Sequence, residues 1–273
     1  NGEAKGVELE NGTQYFAEKA VVSTIDPHQT FLDYVGRENL ETDFVDMIEG
    51  YMWEKWSLNN LHMALDTVPE FKAAKSNPDV NKSLFYILGF DCLSDLTAYY
   101  DAMAGGEVPA KTGLTCTFPS VHDPYQAPAG RAAAYVSQMA PFDLKDGGSD
   151  KWYRRDFRAQ RAEEMISLLE KYLSGFSRDK IIETYMTTPV DIQNKYVNMV
   201  KGGYKQGAYH PLQMGYLRPN QDCSNYRTPV KNLYVGGASV APGGMVIWGP
   251  GYNCANTIAE EHGIEKWWKE PKM

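Results

Sequence analysis

The most informative hydrophobic pattern of the chain lies near its carboxyl end, where a short apolar run meets a glycine-rich stretch. Residues 233–235 are consecutive apolar side chains that end at Gly236-Gly237, as expected for a strand covered on both faces of a sheet. After 249–251, which read Gly-Pro-Gly, small and apolar residues recur at helical spacing over 255–259. The pattern predicts a strand, a glycine-rich turn and a helix whose first N–H groups suit an anion or an electron-rich ring edge.

The opening residues show the pattern of a hairpin. Asn11-Gly12 separates two short segments and predicts a type I′ turn, in which both central residues have positive φ. Turn residues precede the first strand, predicted at 7–10, so this strand is expected to lack an earlier partner within the chain. The chain then enters a predicted buried strand at 20–23.

The middle of the chain alternates between strand and helix patterns. A long amphipathic segment over 151–173 predicts a helix. The run 181–187 predicts a strand that stops at Thr188-Pro189-Val190-Asp191, which offers an N-cap, a helix-compatible proline and an acidic third position. Three earlier runs predict strands of a mixed or antiparallel sheet, at 84–89, 113–118 and 132–139.

The composition is that of an ordinary globular protein. The 273 residues include 43% hydrophobic and 23% charged side chains, near the values of soluble domains, and allow one large or two smaller domains. The net charge of -8, without a cluster of basic and aromatic residues, argues against nucleic acid as a partner. No apolar run reaches the length that spans a bilayer, so no transmembrane segment is predicted, while peripheral membrane contact stays open.

The cysteines and histidines predict neither a metal site nor a redox dithiol. The four cysteines are widely spaced and the five histidines form no ligand motif, so no metal is expected. Unpaired thiols suit a reducing compartment, and we expect a cytoplasmic location. Cys254 follows the predicted helix start, which could lower its pKa, but packing as a small buried residue is the favoured interpretation.

The standard nucleotide-binding motifs are absent from the sequence. There is no G-x-G-x-x-G followed by an acidic residue, and no G-x-x-x-x-G-K-[ST] phosphate loop. We therefore expect either the C-terminal part of a longer protein or one partner of a split one; a shortened domain that fills the gap differently is the alternative. A residual sheet with unpaired edges would invite pairing with another chain.

Three segments resemble, in the same order, motifs of the phytoene desaturase-like FAD-dependent oxidoreductases, which are related to the amine oxidases. Residues 21–28, Val-Val-Ser-Thr-Ile-Asp-Pro-His, resemble the family's return into its FAD-binding sheet, and 202–219 resemble a glycine-rich loop and Arg-Pro strand end. Residues 235–246 resemble the C-terminal flavin motif, a Val-Gly-Ala-Gly/Ser strand end followed by Pro-Gly-Gly and a helix that meets the flavin. The resemblance implies that the cofactor-binding residues are Gly236, Gly237, Ala238, Ser239, Gly243, Gly244, Met245 and Val246.

The resemblance also implies a fold and an activity. We expect mixed α/β and α+β structure, with an incomplete, glutathione reductase-like FAD-binding domain at 1–40 and 220–273 and an inserted substrate domain of mixed sheet and helices at 41–219. The expected activity is hydride transfer to FAD from a small apolar substrate, completed by the missing N-terminal half or by a second chain that carries it. Because a flavin reaction needs no fixed catalytic triad, no catalytic residue is assigned.

Two other functions stay open at this point. A scaffold or binding subunit could keep the fold without flavin, and an amine-oxidising relative would place aromatic walls around the ring. The flavin motif predicts that Gly237→Val or Gly244→Val abolishes FAD retention by the complete protein while leaving it folded, because the backbone must approach the cofactor closely.

Overall fold

The computed structural model describes residues 2–109, 113–245 and 247–269 and combines helices with strands, as the expected mixed class requires. None of the helices in these ranges is both long enough and apolar enough to cross a membrane. The strands are β1 (Gly6–Glu8), β2 (Gln14–Phe16), β3 (Val21–Ser23), β4 (Trp56–Leu65), β5 (Glu70–Phe71), β6 (Tyr86–Leu88), β7 (Leu114–Thr117), β8 (Ala132–Pro141), β9 (Leu173–Ser174), β10 (Ile181–Thr187) and β11 (Leu233–Val235). The helices are a π-helix (His28–Gly36), α1 (Thr42–Glu49), α2 (Leu93–Ala104), α3 (Arg155–Tyr172), α4 (Pro189–Lys195) and α5 (Gly249–Glu261), with short 3-10 turns between elements.

The chain divides into two compact units. The terminal unit combines the residues up to Glu54 with those from Val197 onward, and the central unit is Lys55–Tyr196. The two ends of the chain thus share one unit, but its boundaries differ from the expected positions 40 and 220. The assignment of cofactor and substrate binding to these two parts of the chain stays a prediction.

The turn that joins β1 to β2 differs from the predicted type I′ turn. Gly12 has a left-handed φ of 80°, but Asn11 does not share it, and the Asn11 side chain accepts a hydrogen bond from the Thr13 N–H at 3.0 Å. The Gly12 N–H donates to the Leu9 carbonyl at 2.8 Å. The type I′ prediction is therefore wrong, because the longer connection closes with an ordinary turn followed by a left-handed glycine.

The strand predicted at residues 233–235 forms as β11 and pairs in parallel with β3. All three residues of β11 are buried, and the Gly236 N–H extends the pairing by donating to the Ser23 carbonyl at 2.9 Å. The expectation of a buried strand at 20–23 is wrong at Val22, which is 45% exposed, because the sheet has only two strands in the described ranges. The core around β11 contains Phe31, Phe44, Ile48, Val230 and Val240.

The central unit is built on a five-stranded sheet in the order β10-β4-β8-β7-β6. Every pairing in it is antiparallel, so the antiparallel alternative is confirmed and the mixed one is wrong. The four strands predicted in this unit correspond to β6, β7, β8 and β10. The sequence pattern did not predict β4, the second strand of the order, because Asn59-Asn60 interrupts its alternation of apolar residues.

The two faces of this sheet differ in what covers them. Successive side chains of a strand point to opposite faces, so the register assigns each residue to one face. The core face carries Leu61 opposite Val136, and Met165 and Leu169 of α3 belong to the same hydrophobic cluster. The other face, called the open face below, carries every second residue of β4 from 56 to 64 and the residues of β8 that pair with them.

The first residues of two helices in the central unit can be compared with their predicted positions. α4 begins at Pro189 as predicted, and the Thr188 N–H donates to Asp191 Oδ2 at 2.9 Å in a reciprocal cap. α3 begins at Arg155 and not at 151, because residues 149–153 form a 3-10 turn that buries Trp152.

Candidate functional site

The predicted cofactor segment runs from the end of β11 to the start of α5. α5 begins at Gly249, within Gly-Pro-Gly, as the sequence predicts. Val246 lies outside the described residues; the other predicted residues lie within them, between the two elements. Met245 and Trp248 have left-handed φ values of 77° and 58°. Bulky residues rarely adopt this conformation, and such residues cluster at ligand-binding sites.

The first glycine pair of the segment, Gly236-Gly237, packs closely against other parts of the protein. A Cβ on Gly237 would lie 2.3 Å from the Thr24 carbonyl oxygen, and a Cβ on Gly236 would lie 3.2 Å from the Cys254 Cβ. The close main-chain approach expected at Gly237 therefore exists, but its partner is the protein's own backbone. The structure contradicts the expectation that Gly237→Val leaves the chain folded, because the new side chain would overlap the main chain at Thr24.

The second glycine pair lies against an aromatic side chain and a methyl group. Gly243 has a left-handed φ of 109°, and a Cβ there would lie 2.6 Å from the Tyr209 hydroxyl oxygen. A Cβ on Gly244 would lie 3.1 Å from the Ala238 Cβ, which a small shift of the neighbour relieves. Gly243 is thus required by its backbone conformation, while the effect of Gly244→Val on FAD retention stays a prediction.

On its solvent side the segment is apolar. Met245 is 67% exposed and Trp248 is 84% exposed, and Ile247 between them is also exposed. At Gly251, in the first turn of the thirteen-residue helix α5, an added Cβ would meet no atom within 4 Å. Exposed apolar side chains beside the N–H groups of a helix start suit a flat ring whose edge accepts hydrogen bonds. These residues fit the ring half of a flavin, whereas the first glycine pair is explained by internal packing.

Arg218 holds this region together, although the sequence marked it only as part of an Arg-Pro strand end. The Arg218 side chain is fully buried, and its guanidinium carbon lies 5.0 Å from the centre of the Tyr209 ring. It donates hydrogen bonds to the main-chain carbonyl oxygens of Lys205 (2.8 Å), Ala238 (2.9 Å), Ala208 (3.1 Å), Gln206 (3.3 Å) and Gln213 (3.5 Å). Arg218 therefore fastens the loop 205–213 to the predicted cofactor segment at Ala238.

Other buried polar groups fix the same loop. Burial raises the pKa of Tyr51 to about 12, against the opposing charge of Arg218, so the phenol stays protonated and donates to the Gln206 carbonyl at 2.6 Å. Gln206 has a left-handed φ of 48°, and its Oε1 is buried without a hydrogen-bond partner among the described residues. Lys205 forms a largely shielded ion pair with Glu54. Tyr51 thus acts as a hydrogen-bond donor that sets the loop and not as a base at neutral pH.

Cys254 packs as a buried residue of α5, which confirms the favoured interpretation. It is buried next to Gly236, the residue directly after β11, and burial raises the pKa of its thiol to about 11. The thiol is therefore protonated at neutral pH and does not act as a nucleophile.

The central unit contains a cleft of about 370 Å³ that lies away from the predicted cofactor segment in sequence. Its charged side chains pair with one another, Lys145 with Glu107 at 3.1 Å and Lys151 with Asp146 at 2.8 Å. Because these charges are already balanced, the cleft offers no excess charge to a ligand.

Comparison with known proteins finds relatives whose names are those of a dehydrogenase and a desaturase. No protein-family model matches it. It is 34% identical over 260 residues to a subunit of the limonene dehydrogenase of Castellaniella defragrans, a match that covers 93% of the chain and 46% of the relative. It is 31% identical over 155 residues to a 4,4'-diapophytoene desaturase of Staphylococcus haemolyticus, covering 56% of the chain and 29% of that protein. The chain spans less than half the length of these curated relatives.

One solved structure shows the same fold. A crystal structure of an oxidoreductase from Methanosarcina mazei superimposes with a TM-score of 0.50 at 13% identity, covering 94% of the chain and 46% of that protein. The similarity extends over nearly all of the chain and therefore includes both compact units.

Proposed function

Because the chain is a relative of the phytoene desaturase-like oxidoreductases, we propose that it carries the flavin-ring half of an FAD-dependent dehydrogenase that acts on a small apolar substrate. The observation that carries the proposal is the exposed start of α5. There, left-handed Met245 and Trp248 flank an apolar surface beside open helix N–H groups, at the position of the family's flavin motif.

FAD, when bound, supplies the two-electron acceptor that a dehydrogenation needs. The chain's own residues hold and shield it. The N–H group of Gly251, in the first turn of α5, stabilises negative charge at the ring edge together with the helix dipole. Met245, Ile247 and Trp248 cover the ring with apolar surface and exclude water from it. Arg218 acts as a positioning residue, because it fixes Ala238 through the 2.9 Å hydrogen bond to its carbonyl.

We assign the adenosine diphosphate half of the site to sequence outside this chain, either in the same polypeptide or on a second one. Two observations support this assignment. The relatives are more than twice as long as the matched region, and the limonene dehydrogenase relative is itself one subunit of its enzyme. The two-stranded sheet of β3 and β11 also offers strand edges at which further strands can pair.

A scaffold or binding subunit without flavin is the second candidate, and one observation favours it. Gly236, Gly237 and Gly243 are all accounted for by contacts within the chain, so none of them requires a ligand. Whether the exposed patch at the start of α5 binds a flavin therefore distinguishes the two functions.

The two functions are distinguished by isolating the native assembly that contains this chain and measuring its flavin content by absorbance. The proposal predicts a yellow preparation with one FAD per copy of this chain and a G-x-G-x-x-G motif within the assembly. Anaerobic addition of an apolar isoprenoid such as limonene should bleach the flavin bands. A colourless assembly that takes up no added FAD would establish the scaffold instead.

A further inference from the structure

The open face of the central sheet carries a band of polar side chains that crosses four strands. The register of the sheet places Asn60 of β4 between Thr187 of β10 and Ser137 of β8, with Thr115 of β7 beyond Ser137. His62 and Tyr135 face each other in the next row, with their ring centres 5.1 Å apart. These residues come from distant parts of the sequence, and only the strand register brings them together.

This band carries no formal charge. Along β4, β7 and β8, all of which the structure describes, no residue of the open face is Lys, Arg, Asp or Glu. On the edge strand β10 the same face carries Glu183, which pairs with Ala64 two rows from Asn60 and is exposed to solvent. Partial burial lowers the pKa of His62 below its ordinary value of 6.5, so its ring is neutral at neutral pH. Solvated sheet faces usually carry charged side chains, whereas a face that holds a neutral ligand cannot bury unpaired charges. The composition of the rows around Asn60 and His62 therefore favours an uncharged molecule.

The flanking positions of the same face are apolar. Leu58 lies opposite Met139, and Trp56 lies opposite Pro141 at the end of the strand. The Trp56 ring contacts Tyr100 of α2 with 5.1 Å between ring centres. A molecule that covers the polar band would thus rest most of its surface on hydrocarbon and aromatic groups.

Asn60 provides one directed polar contact on this face. Its side-chain carbonyl accepts hydrogen bonds from the Tyr135 hydroxyl at 2.9 Å and the Ser137 hydroxyl at 2.7 Å, which uses both lone pairs of the oxygen. Asn60 is only 5% exposed, yet no described residue accepts a hydrogen bond from its Nδ2, which keeps contact with solvent. Nearly buried amide groups are normally paired, so this donor is held in place without a protein partner.

We propose that the open face binds a neutral, largely apolar molecule with a carbonyl, hydroxyl or ether oxygen, and that Asn60 Nδ2 donates a hydrogen bond to that oxygen. The identification of this molecule as the substrate rests on the proposed function; the binding itself does not. A ligand without the oxygen would leave the amide unpaired on binding, so it binds more weakly.

Carvone and limonene test the proposal, because the two molecules share a carbon skeleton and differ at one ring position by a ketone oxygen. Binding to the full chain in its native assembly is measured by isothermal titration calorimetry. We expect carvone to bind about fivefold more tightly than limonene. Asn60→Asp keeps an acceptor for Tyr135 and Ser137 but lacks the N–H donor, so it should lose this preference, and Asn60→Leu should do the same.

Asn59→Leu is the matched control, because Asn59 is the preceding residue and its side chain belongs to the core face. This variant should keep the preference for carvone. Equal binding of the two ligands by the parent, no binding of carvone, or a preference that survives in both Asn60 variants would overturn the proposal. Flavin content of the same samples separates the two hypotheses: an assembly without flavin that prefers carvone through Asn60 contradicts the proposed function alone.

Discussion

The cofactor segment of the terminal unit can be recognised from a sequence motif, whereas the open face of the central unit cannot. The segment stands out in the sequence through its glycines, yet Gly237 is required by the Thr24 backbone and Gly243 by its own φ. The open face leaves no motif, yet it holds a nearly buried amide donor at Asn60 without a protein partner among the described residues. A residue that stands out in the sequence can thus be required for packing alone. A residue suited to ligand contact can instead be recognised only from the pairing of strands.

Gly237→Ala tests whether packing explains the first glycine pair and should have the largest effect on stability. Its Cβ would overlap the Thr24 carbonyl, so we expect the free energy of unfolding to fall by more than about 3 kcal/mol. Gly251→Ala is the control, because its Cβ has open space and alanine favours the helix by about 0.5–1 kcal/mol. Chemical denaturation measures both, and similar stabilities for the two variants would refute the packing explanation.

Arg218→Leu tests whether the loop 205–213 is held by a buried cation and should have the next largest effect. The substitution leaves several buried carbonyl groups unpaired, so we expect a loss of about 2–3 kcal/mol in the free energy of unfolding. Arg227→Leu is the matched control, because Arg227 is exposed and pairs with Glu261 at the surface, where a loss below about 1 kcal/mol is expected. Equal losses in the two variants would show that Arg218 does not have this role.

Asn59→Leu compares the two faces of β4 directly. Both polar atoms of the Asn59 side chain are buried without a hydrogen-bond partner in the described ranges. Replacing the amide by a hydrocarbon of similar size should raise the free energy of unfolding by about 1 kcal/mol. Asn60→Leu should lower it, because the Tyr135 and Ser137 hydroxyls lose their acceptor. Thermal unfolding of the two variants measures both changes. A change of stability in the same direction for both variants would contradict the assignment of Asn59 and Asn60 to opposite faces.

His62→Gln sharpens the description of the open face and should have the smallest effect. The pKa of His62 is lowered in the folded protein, so the unfolded chain binds the proton more tightly and stability decreases as the pH falls below 6.5. Because the ring keeps contact with solvent, the decrease is small. The variant should lose this part of the decrease and match the parent above pH 6.5. Unfolding curves at several pH values measure it, and identical acid dependence in the two proteins would contradict a lowered pKa.

Elements with local signals could be predicted from the sequence. The start of α5 follows Gly-Pro-Gly, and α4 starts at Thr188-Pro189 because its cap needs residues only three positions apart. β11 was recognisable as a short apolar run before a glycine pair. In each case the interacting groups are close in sequence, so a pattern of a few residues contains the physical cause.

Features that depend on distant residues could not be predicted. β4 is interrupted by two asparagines, and only the finished sheet shows that they face opposite sides. The role of Arg218 depends on carbonyl groups spread from Lys205 to Ala238, and backbone carbonyls leave no trace in the sequence. The partner of Gly237 is Thr24, more than two hundred residues away, so the sequence could show that space was needed there but not what filled it.

The proposed role of the α5 start as the holder of a flavin ring is tested most directly by the flavin affinity of the native assembly carrying Gly251→Asp. An acidic residue at the third position of a helix stabilises it, so the variant should fold as well as the parent. Its charge and bulk would lie where the ring edge is proposed to bind, and we predict a loss of roughly 100-fold in FAD affinity, with little loss for Gly251→Ala. A folded Gly251→Asp assembly that binds FAD as tightly as the parent would contradict that role.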